Sequence, residues 1–210
     1  MIVINLKNYK KGKEALKLAK TIEKYLPKSI ICPSALDIET ITSKTKLKIF
    51  AQHANFQEED KTTGYNSLKE LKKIGASGTL LNHSEHPLSI TNIRKVMIMA
   101  RKLNIKGIIC TPSLKNMKLM LKLKPYAIAF EDPKLISTGK SITKYNSQVL
   151  KDFIKIMKKT NVIPLCGAGI SSYEDVKEAK NLGCKGVLIA SAIANSKNPS
   201  SLLRKLKEFQ

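Results

Sequence analysis

Short apolar stretches alternate along the whole chain with longer segments in which apolar residues recur at helical spacing. The short stretches lack the polar alternation of half-exposed strands, so they are typical of parallel strands that are covered on both faces. Eight strands are predicted, at residues 2–6, 29–32, 47–52, 78–81, 105–110, 127–130, 162–166 and 186–190.

The longer segments between these strands predict helices. Apolar residues three and four positions apart start at Ala15, Ile93, Val149, Val176 and Leu202, while the connections after Ser34 and Ser113 leave room for short helices only. Eight strand–helix units in 210 residues average ~26 residues each, which suits a compact barrel, whereas an open doubly wound sheet normally uses fewer units. The sequence therefore predicts an α/β protein, a single (βα)8 TIM barrel with a closed eight-stranded parallel sheet, and one domain over residues 1–210.

The charge of the chain is extreme, at +22 from 38 Lys and Arg against 16 Asp and Glu. Such a charge favours anionic partners, namely nucleic acid, a membrane surface or phosphorylated metabolites. The lysines are spread along the chain between apolar residues, as on the solvated outer faces of amphipathic helices. Few arginines and no tryptophan argue against a dedicated nucleic-acid module, so we expect nucleic-acid binding that is at most non-specific.

Other features narrow the class of protein. The longest uncharged apolar run, residues 186–194, is too short to span a membrane, and no secretory signal is expected at the first strand. The cysteines lie singly in or beside apolar runs and form no C-x-x-C pair, which favours buried free thiols and a cytoplasmic location: Cys32, Cys110, Cys166 and Cys184. No metal and no cofactor is expected.

Polar residues follow several of the predicted strands. Because barrel enzymes carry their chemistry at the carboxyl ends of the strands, we expect these residues to converge. They are Asn5 and Lys7 after the first strand, His83 after the fourth, Glu131 after the sixth, CGAGISS at 166–172 after the seventh, and Ala190-Ser191 at the end of the eighth.

Glu131 is the candidate general base. It ends a buried strand, and burial raises the pKa of a carboxylate towards working pH. The alternative is a helix-capping or surface acid.

His83 is the candidate electrophile. Residues 84–87 resemble the start of a helix, and the positive end of a helix disfavours an imidazolium, so His83 is expected to be neutral. The alternative is a structural histidine, which is also the interpretation of His53 and His86.

Lys7 and Asn5 are two positions apart, so on a strand both project to the same face and into the barrel mouth. Lys7 needs an anionic partner among apolar neighbours, either Glu85 or a phosphate, unless it is simply one of many surface lysines. The glycine-rich turn at 166–172 suits a phosphate, although tight strand-to-helix turns use glycine anyway.

Taken in order, these motifs resemble the triosephosphate isomerase family, in particular its short archaeal-type form. The matching stretches are N-x-K at residues 5–7, AQH at 51–53, GTLLNHSE at 78–85, FEDPKLISTG at 130–139, CGAGIS at 166–171 and GVLIAS at 186–191.

The resemblance implies an aldose–ketose isomerase of glycolysis and gluconeogenesis that interconverts dihydroxyacetone phosphate and D-glyceraldehyde 3-phosphate through an enediolate. It implies Glu131 as base, His83 as neutral electrophile, Lys7 as charge stabiliser supported by Glu85, and Asn5 as positioning residue. It further implies phosphate contacts and a closing lid, with Ile136, Gly169, Ala190 and Ser191 at the phosphate and Asp132, Pro133, Ser137, Thr138 and Gly139 in the lid. A loop at Thr62-Thr63-Gly64 resembles the dimer loop of the family and implies a homodimer or homotetramer.

The chain departs from the family pattern at three positions. Ser137 stands where the lid commonly has glycine, Asp132 replaces the first lid proline, and His86 replaces an arginine. Lid kinetics and subunit pairing are the properties that these changes put in question.

Two other classes of function remain open from the residues alone. Another phosphate-binding barrel, such as a synthase acting on phosphoribosyl-type substrates, would share residues 166–172 and the final turn. It would not explain why Asn5, Lys7, His83 and Glu131 occur together. A nucleic-acid binding module is the other alternative, motivated by the charge.

Overall fold

Eight parallel strands close into a barrel in chain order, from β1 to β8, with β8 pairing with β1. The coordinates are a computed structural model that describes residues 1–57, 61–136, 138 and 140–210. The predicted fold class is confirmed. The strands are β1 Ile2–Asn5, β2 Ile30–Cys32, β3 Lys48–Ala51, β4 Gly78–Leu81, β5 Lys106–Thr111, β6 Ala127–Phe130, β7 Ile163–Cys166 and β8 Gly186–Ile189.

Helices follow the strands on the outside of the barrel. They are α1 Gly12–Tyr25, α2 Ile38–Thr42, α3 Leu68–Lys73, α4 Ile90–Lys102, α5 Leu114–Leu121, α6 Ile142–Tyr145, α7 Ser147–Met157, α8 Tyr173–Asn181, α9 Ser191–Ala194 and α10 Pro199–Lys205. Short 3-10 segments lie at Ala35–Asp37, Pro133–Leu135 and Leu206–Phe209. The predicted short helices after Ser34 and Ser113 are confirmed, at five and eight residues.

Alternation along the strands divides the core into two parts. The smaller cluster takes one or two residues from each strand, such as Val3, Phe50, Leu80 and Leu165, and fills the barrel. The larger cluster consists of the opposite strand faces and the helices that cover them. Both faces of the sheet are therefore buried, which is why the strands read as continuous apolar runs.

Helix α7 shows how a helical pattern positions a strand end. Its buried residues Leu150, Phe153, Ile154 and Met157 follow the i, i+3, i+4, i+7 spacing of an amphipathic helix. The Phe153 ring packs against the ring of Phe130, the last residue of β6, with centroids 5.3 Å apart. This contact holds the end of β6, where Glu131 follows.

One predicted helix start is wrong. Residues 84–86 form a turn and a bend, and α4 begins at Ile90, where the Ser89 side chain accepts the Asn92 N–H. Pro87 therefore precedes the helix by three positions. All eight predicted strands are present, and each predicted end lies within one residue of the observed end.

All four cysteines are buried and free, as predicted. Within the described part of the chain, every helix is too short or too polar to cross a lipid bilayer. The single domain over residues 1–210 stays a prediction.

Candidate active site

A cavity of about 50 Å³ lies at the carboxyl ends of the strands. It brings together site residues that the sequence predicts from separate strand ends. Its lining contains Asn5, Lys7, His83, Glu131, Ile136, Gly169, Ala190 and Ser191, and in addition Ala168, Ile170, Ser171 and Leu188.

The Glu131 carboxylate is buried in this cavity, with 5% of the residue exposed. Its backbone N–H donates to Thr111, which continues the pairing of β6 with β5 by one residue. One carboxylate oxygen, Oε1, lies 3.8 Å from Nε2 of His83, while Oε2 is buried without a hydrogen-bond partner. A buried carboxylate with an unused acceptor oxygen is poised to take a proton.

Gly167 makes room for this carboxylate. A Cβ at position 167 would lie 2.7 Å from Glu131 Oε1 and 2.8 Å from its Cγ, so any side chain there would displace the acid. The sequence alone predicts Gly167 only as part of a phosphate turn. Its sequence signal is weak, because a glycine after a strand usually serves the turn itself.

Cys110 lies beside the carboxylate as well. Burial first, and then the nearby Glu131 charge, raise the pKa of the Cys110 thiol well above its ordinary value. The thiol therefore stays protonated and adds no second negative charge to the cavity. The sequence alone predicts Cys110 only as a buried thiol.

His83 is held in one tautomer by a backbone hydrogen bond rather than by a helix. The Glu85 N–H donates to Nδ1 of His83 at 3.2 Å, and the His86 N–H donates to the His83 carbonyl at 2.8 Å. Because Nδ1 accepts this hydrogen bond and so carries no proton, the ring proton of a neutral imidazole lies on Nε2, which faces Glu131. The expected helix-dipole effect is wrong, since α4 begins seven residues later.

Lys7 reaches the cavity in a way that strand alternation did not predict. Strand β1 ends at Asn5, and Lys7 adopts a left-handed conformation with φ of 45°. The Asn5 side chain accepts the Lys7 N–H at 2.9 Å, and the Gln52 side chain donates to the Lys7 carbonyl at 2.9 Å. These two hydrogen bonds offset a conformation that is unfavourable for lysine.

The Lys7 ammonium lies 2.7 Å from Oε1 of Glu85, which is one of the two partners considered for it. Lys7 is largely buried, with 11% of its side chain exposed, whereas 58% of the Glu85 side chain is exposed. The exposed carboxylate orients the ammonium but leaves it free to face an anion in the cavity.

The turn after β7 is fixed by Asp175, which is not among the site residues predicted from the sequence. Oδ2 of Asp175 accepts the N–H groups of Ser171 and Ser172 and the Ser171 hydroxyl, while the Ser172 hydroxyl accepts the Asp175 N–H. Burial would raise the pKa of Asp175, but these hydrogen bonds outweigh it and hold the pKa below its ordinary value. The S-x-x-D spacing of a capping box, visible in SSYED, was the available signal.

Only part of the expected lid is described. Ile136 lines the cavity, and Asp132 and Pro133 lead to it from Glu131. Thr138 donates from its hydroxyl to the Leu135 carbonyl at 2.8 Å. Ser137 and Gly139 lie outside the described residues.

A larger groove of about 770 Å³ adjoins the cavity along Asn5, Lys7 and His83. His53 and His86 line it and stack on each other, with ring centroids 3.9 Å apart, and Asn55 contacts Nε2 of His53 at 3.0 Å. Burial, and then the charge of His86, lower the pKa of His53 to about 4. The neutral form of His53 is therefore part of the folded structure.

This stack predicts a pH-dependent stability. Unfolded His53 has an ordinary pKa of 6.5, so between pH 6.5 and about 4 the unfolded chain binds more protons than the folded one. Titration of His53 therefore leaves the free energy of unfolding unchanged above pH 6.5 and lowers it progressively as the pH falls towards 4. Urea unfolding at a series of pH values measures this effect. The free energy of unfolding of His53→Gln should fall less between pH 6.5 and 4 than that of the parent protein. An equal fall of the free energy of unfolding in the parent and the variant would contradict the lowered pKa of His53.

Comparison with known proteins extends these observations. A sequence model of the family described as triosephosphate isomerase matches residues 1–206. The chain is 36% identical to a triosephosphate isomerase from Methanocaldococcus jannaschii, over 100% of this chain and 99% of that protein. It is 34% identical to one from Pyrobaculum islandicum, over 94% and 90%.

A solved structure agrees in fold. The crystal structure of triosephosphate isomerase from Bartonella henselae superposes with a TM-score of 0.75 over 99% of this chain and 97% of that one, at 17% identity. The match of the family model across nearly the whole chain, together with these full-length relatives, shows that the chain belongs to the triosephosphate isomerase family.

Proposed function

We propose that this protein interconverts dihydroxyacetone phosphate and D-glyceraldehyde 3-phosphate by proton transfer through an enediolate, as an isomerase of glycolysis and gluconeogenesis. The relatives with this name support the reaction. The observation that carries the mechanism is the meeting of Glu131, His83 and Lys7 in one cavity. The buried reduced thiols are consistent with work in the cytoplasm.

Glu131 is the base in this proposal. Its unpartnered oxygen removes a proton from the carbon next to the substrate carbonyl, and the resulting carboxylic acid returns a proton to the former carbonyl carbon. The hydroxyl proton passes between the two oxygens of the enediolate through Nε2 of His83. Both transfers are made by one group on one face of the substrate. A carboxylate on a rigid strand end suits this role, because small displacements of a base are costly.

His83 and Lys7 stabilise the charge that this transfer creates. The Nε2–H of His83 donates to the carbonyl oxygen as it becomes an enediolate oxygen, and the Lys7 ammonium attracts the same oxygen and the phosphate. A glutamate base paired with a neutral histidine is the established arrangement of triosephosphate isomerases, and this chain has the groups for it.

The phosphate end is proposed to contact Gly169, Ala190, Ser191 and Ile136, which line the cavity. Asp175 supports this by fixing the turn after β7, so that its backbone is preorganised before substrate arrives. The lid from Asp132 to Gly139 is proposed to exclude water, which protects the enediolate from losing phosphate.

Replacing Glu131 tests the base. Glu131→Gln keeps the shape of the side chain but cannot take a proton, so kcat should fall by about 10²–10⁴-fold. Binding of a phosphate-bearing inhibitor should change little, because the phosphate contacts remain. A coupled assay with glyceraldehyde 3-phosphate measures the rate, and calorimetry measures the binding.

Glu39→Gln, an exposed glutamate of α2, is the matched control and should keep the parental rate. Near-parental turnover by Glu131→Gln would show that Glu131 is not the base. Absence of turnover in the parent protein would contradict the proposed isomerase activity.

A homo-oligomer is the second part of the proposal. Every residue of the loop 61–66 is exposed, and 48% of Tyr65 is exposed. The 770 Å³ groove, with Leu36 at its edge and 92% exposed, offers a concave site for such a loop from a second copy. A homodimer, or a homotetramer built from such dimers, would cover these surfaces and complete the wall of the active-site groove.

Sedimentation velocity tests this pairing. The parent protein should sediment as a dimer or tetramer at micromolar concentration. Tyr65→Asp should shift it towards monomer, because a charge would be buried in the contact, with an unchanged far-UV circular dichroism spectrum. A parent protein that sediments only as monomer would contradict the proposal.

Non-specific nucleic-acid binding is proposed as a by-product of charge. No acidic residue lies between Glu85 and Glu131, and the cations of this stretch are all exposed. Helices α4 and α5 in this stretch both pack on β5, so they form one basic face. The cations are Arg94, Lys95, Arg101, Lys102, Lys106, Lys115, Lys118, Lys122 and Lys124.

Fluorescence anisotropy with a labelled DNA duplex tests this face. Binding should be weak at physiological salt, with Kd on the order of 10⁻⁴–10⁻⁶ M, and should weaken steeply as salt rises. Replacing Lys118 and Lys122 by Gln should reduce the salt slope by roughly one for each lysine. Tight, salt-insensitive binding would contradict a purely electrostatic contact.

A further inference from the structure

Asp132, the residue directly after the proposed base, joins two structural elements through its two carboxylate oxygens. Oδ1 accepts the Lys134 N–H at 3.0 Å and so caps the 3-10 segment Pro133–Leu135. Oδ2 accepts the side-chain amide of Asn146 at 3.0 Å. Among the described residues, no cation lies within ion-pair distance of this carboxylate, so its bonds to two amides are its main contacts.

Asn146 is a rigid partner because it lies at the junction of α6 and α7. Its N–H donates to the Ile142 carbonyl at 3.0 Å, and its carbonyl accepts the Leu150 N–H at 3.2 Å. Phe153 of α7 packs on Phe130. The residues on both sides of Glu131, Phe130 and Asp132, are therefore tied to the start and middle of the same helix.

The other end of the expected lid is tied to the same region by different contacts. The buried Ser141 hydroxyl caps α6 and bonds to the Thr143 hydroxyl at 2.7 Å, and the Ile142 N–H donates to the Ala168 carbonyl at 3.2 Å. Gly169, with φ of 69°, lets the Lys140 carbonyl approach so closely that a Cβ would clash with it. Among the described contacts, this end is anchored by several bonds, whereas the side chain of Asp132 reaches beyond its own 3-10 segment only through its bond to Asn146.

We infer that Asp132 is a positioning residue for Glu131, which acts through its hydrogen bond to Asn146. The bond sets the direction in which the chain leaves β6, and with it the orientation of the Glu131 carboxylate towards His83 and the entry of the lid. The inference rests on the proposed isomerase activity. It predicts that loss of the bond changes the chemistry of the site without unfolding the barrel, because the bond lies outside the core clusters.

Asn146→Asp is the variant that breaks the bond most specifically. It places two carboxylates at hydrogen-bond distance, so Asp132 should move away and take Glu131 with it. We expect kcat to fall by about tenfold to a hundredfold. We also expect more inorganic phosphate to be released per isomerised product, because a displaced lid entry leaves the enediolate exposed to water.

The reciprocal double variant, Asp132→Asn with Asn146→Asp, restores one amide and one carboxylate at the same pair of positions. The new amide at position 132 donates to the new carboxylate at position 146, and its side-chain carbonyl oxygen still accepts the Lys134 N–H. This protein should recover kcat and phosphate release to within about twofold of the parent, as expected for directly coupled residues. Asn116→Asp, an exposed change on α5, controls for the added negative charge and should behave as the parent.

Thermal unfolding separates positioning from stability. A merely structural role would lower the Tm of Asn146→Asp and leave its ratio of phosphate to product at the parental value. If that variant does not fold, Asn146→Ala serves in its place, since it removes the donor without adding charge.

Three results would be decisive. If the parent protein is active and Asn146→Asp releases the same amount of phosphate per isomerised product as the parent, the inference is overturned. A double variant that stays as impaired as the single variant would overturn it as well. An inactive parent protein would instead contradict the proposed isomerase activity, and is distinguished from the other two results by the parent's own rate.

Discussion

A buried carboxylate that keeps one oxygen without a partner is the constraint on which this structure depends. Leaving Oε2 of Glu131 unpaired in the protein interior costs about 1–3 kcal/mol, and the fold offsets that cost elsewhere. The end of β6 is held by the packing of Phe130 on Phe153, Gly167 leaves space for the carboxylate, and the protonated Cys110 thiol adds no competing charge. An acid at the end of a core strand is unfavourable for stability alone, but it is useful for proton transfer.

The other polar groups of the cavity are fixed before any ligand arrives. Backbone and side-chain hydrogen bonds hold Lys7 in a left-handed conformation and His83 in one tautomer. Asp175 fixes the turn after β7 in the same way. Each group comes from a different strand end, so only closure of the barrel brings them together. Preorganisation of this kind stabilises charge in a transition state without a reorganisation cost at the moment of reaction.

The sequence predicts the barrel well because each strand is buried on both faces and therefore reads as an uninterrupted apolar run. It predicts Glu131 and His83 as site candidates because they directly follow such runs. It does not predict how Lys7 turns into the cavity, because the positive φ of this lysine depends on hydrogen bonds to the Asn5 side chain and from the distant Gln52 side chain.

Contacts between distant segments account for the remaining differences. The helix expected at residues 84–87 begins at Ile90, because Asn82 accepts the Leu88 N–H and donates to the Cys110 carbonyl, which keeps this segment in a turn. The space that Gly167 leaves and the bond between Asp132 and Asn146 both require the tertiary structure. Motif order thus identifies the family, while the supports of the site become visible only in three dimensions.

Isomerisation of glyceraldehyde 3-phosphate in deuterium oxide tests the central claim most directly. If one buried carboxyl group carries the proton between two carbons, it exchanges with solvent in some turnovers. Nuclear magnetic resonance should then detect deuterium on the hydroxymethyl carbon of the dihydroxyacetone phosphate formed. A product that forms at full rate with no solvent deuterium would indicate direct hydrogen migration within the substrate, and would contradict a proton-carrying Glu131.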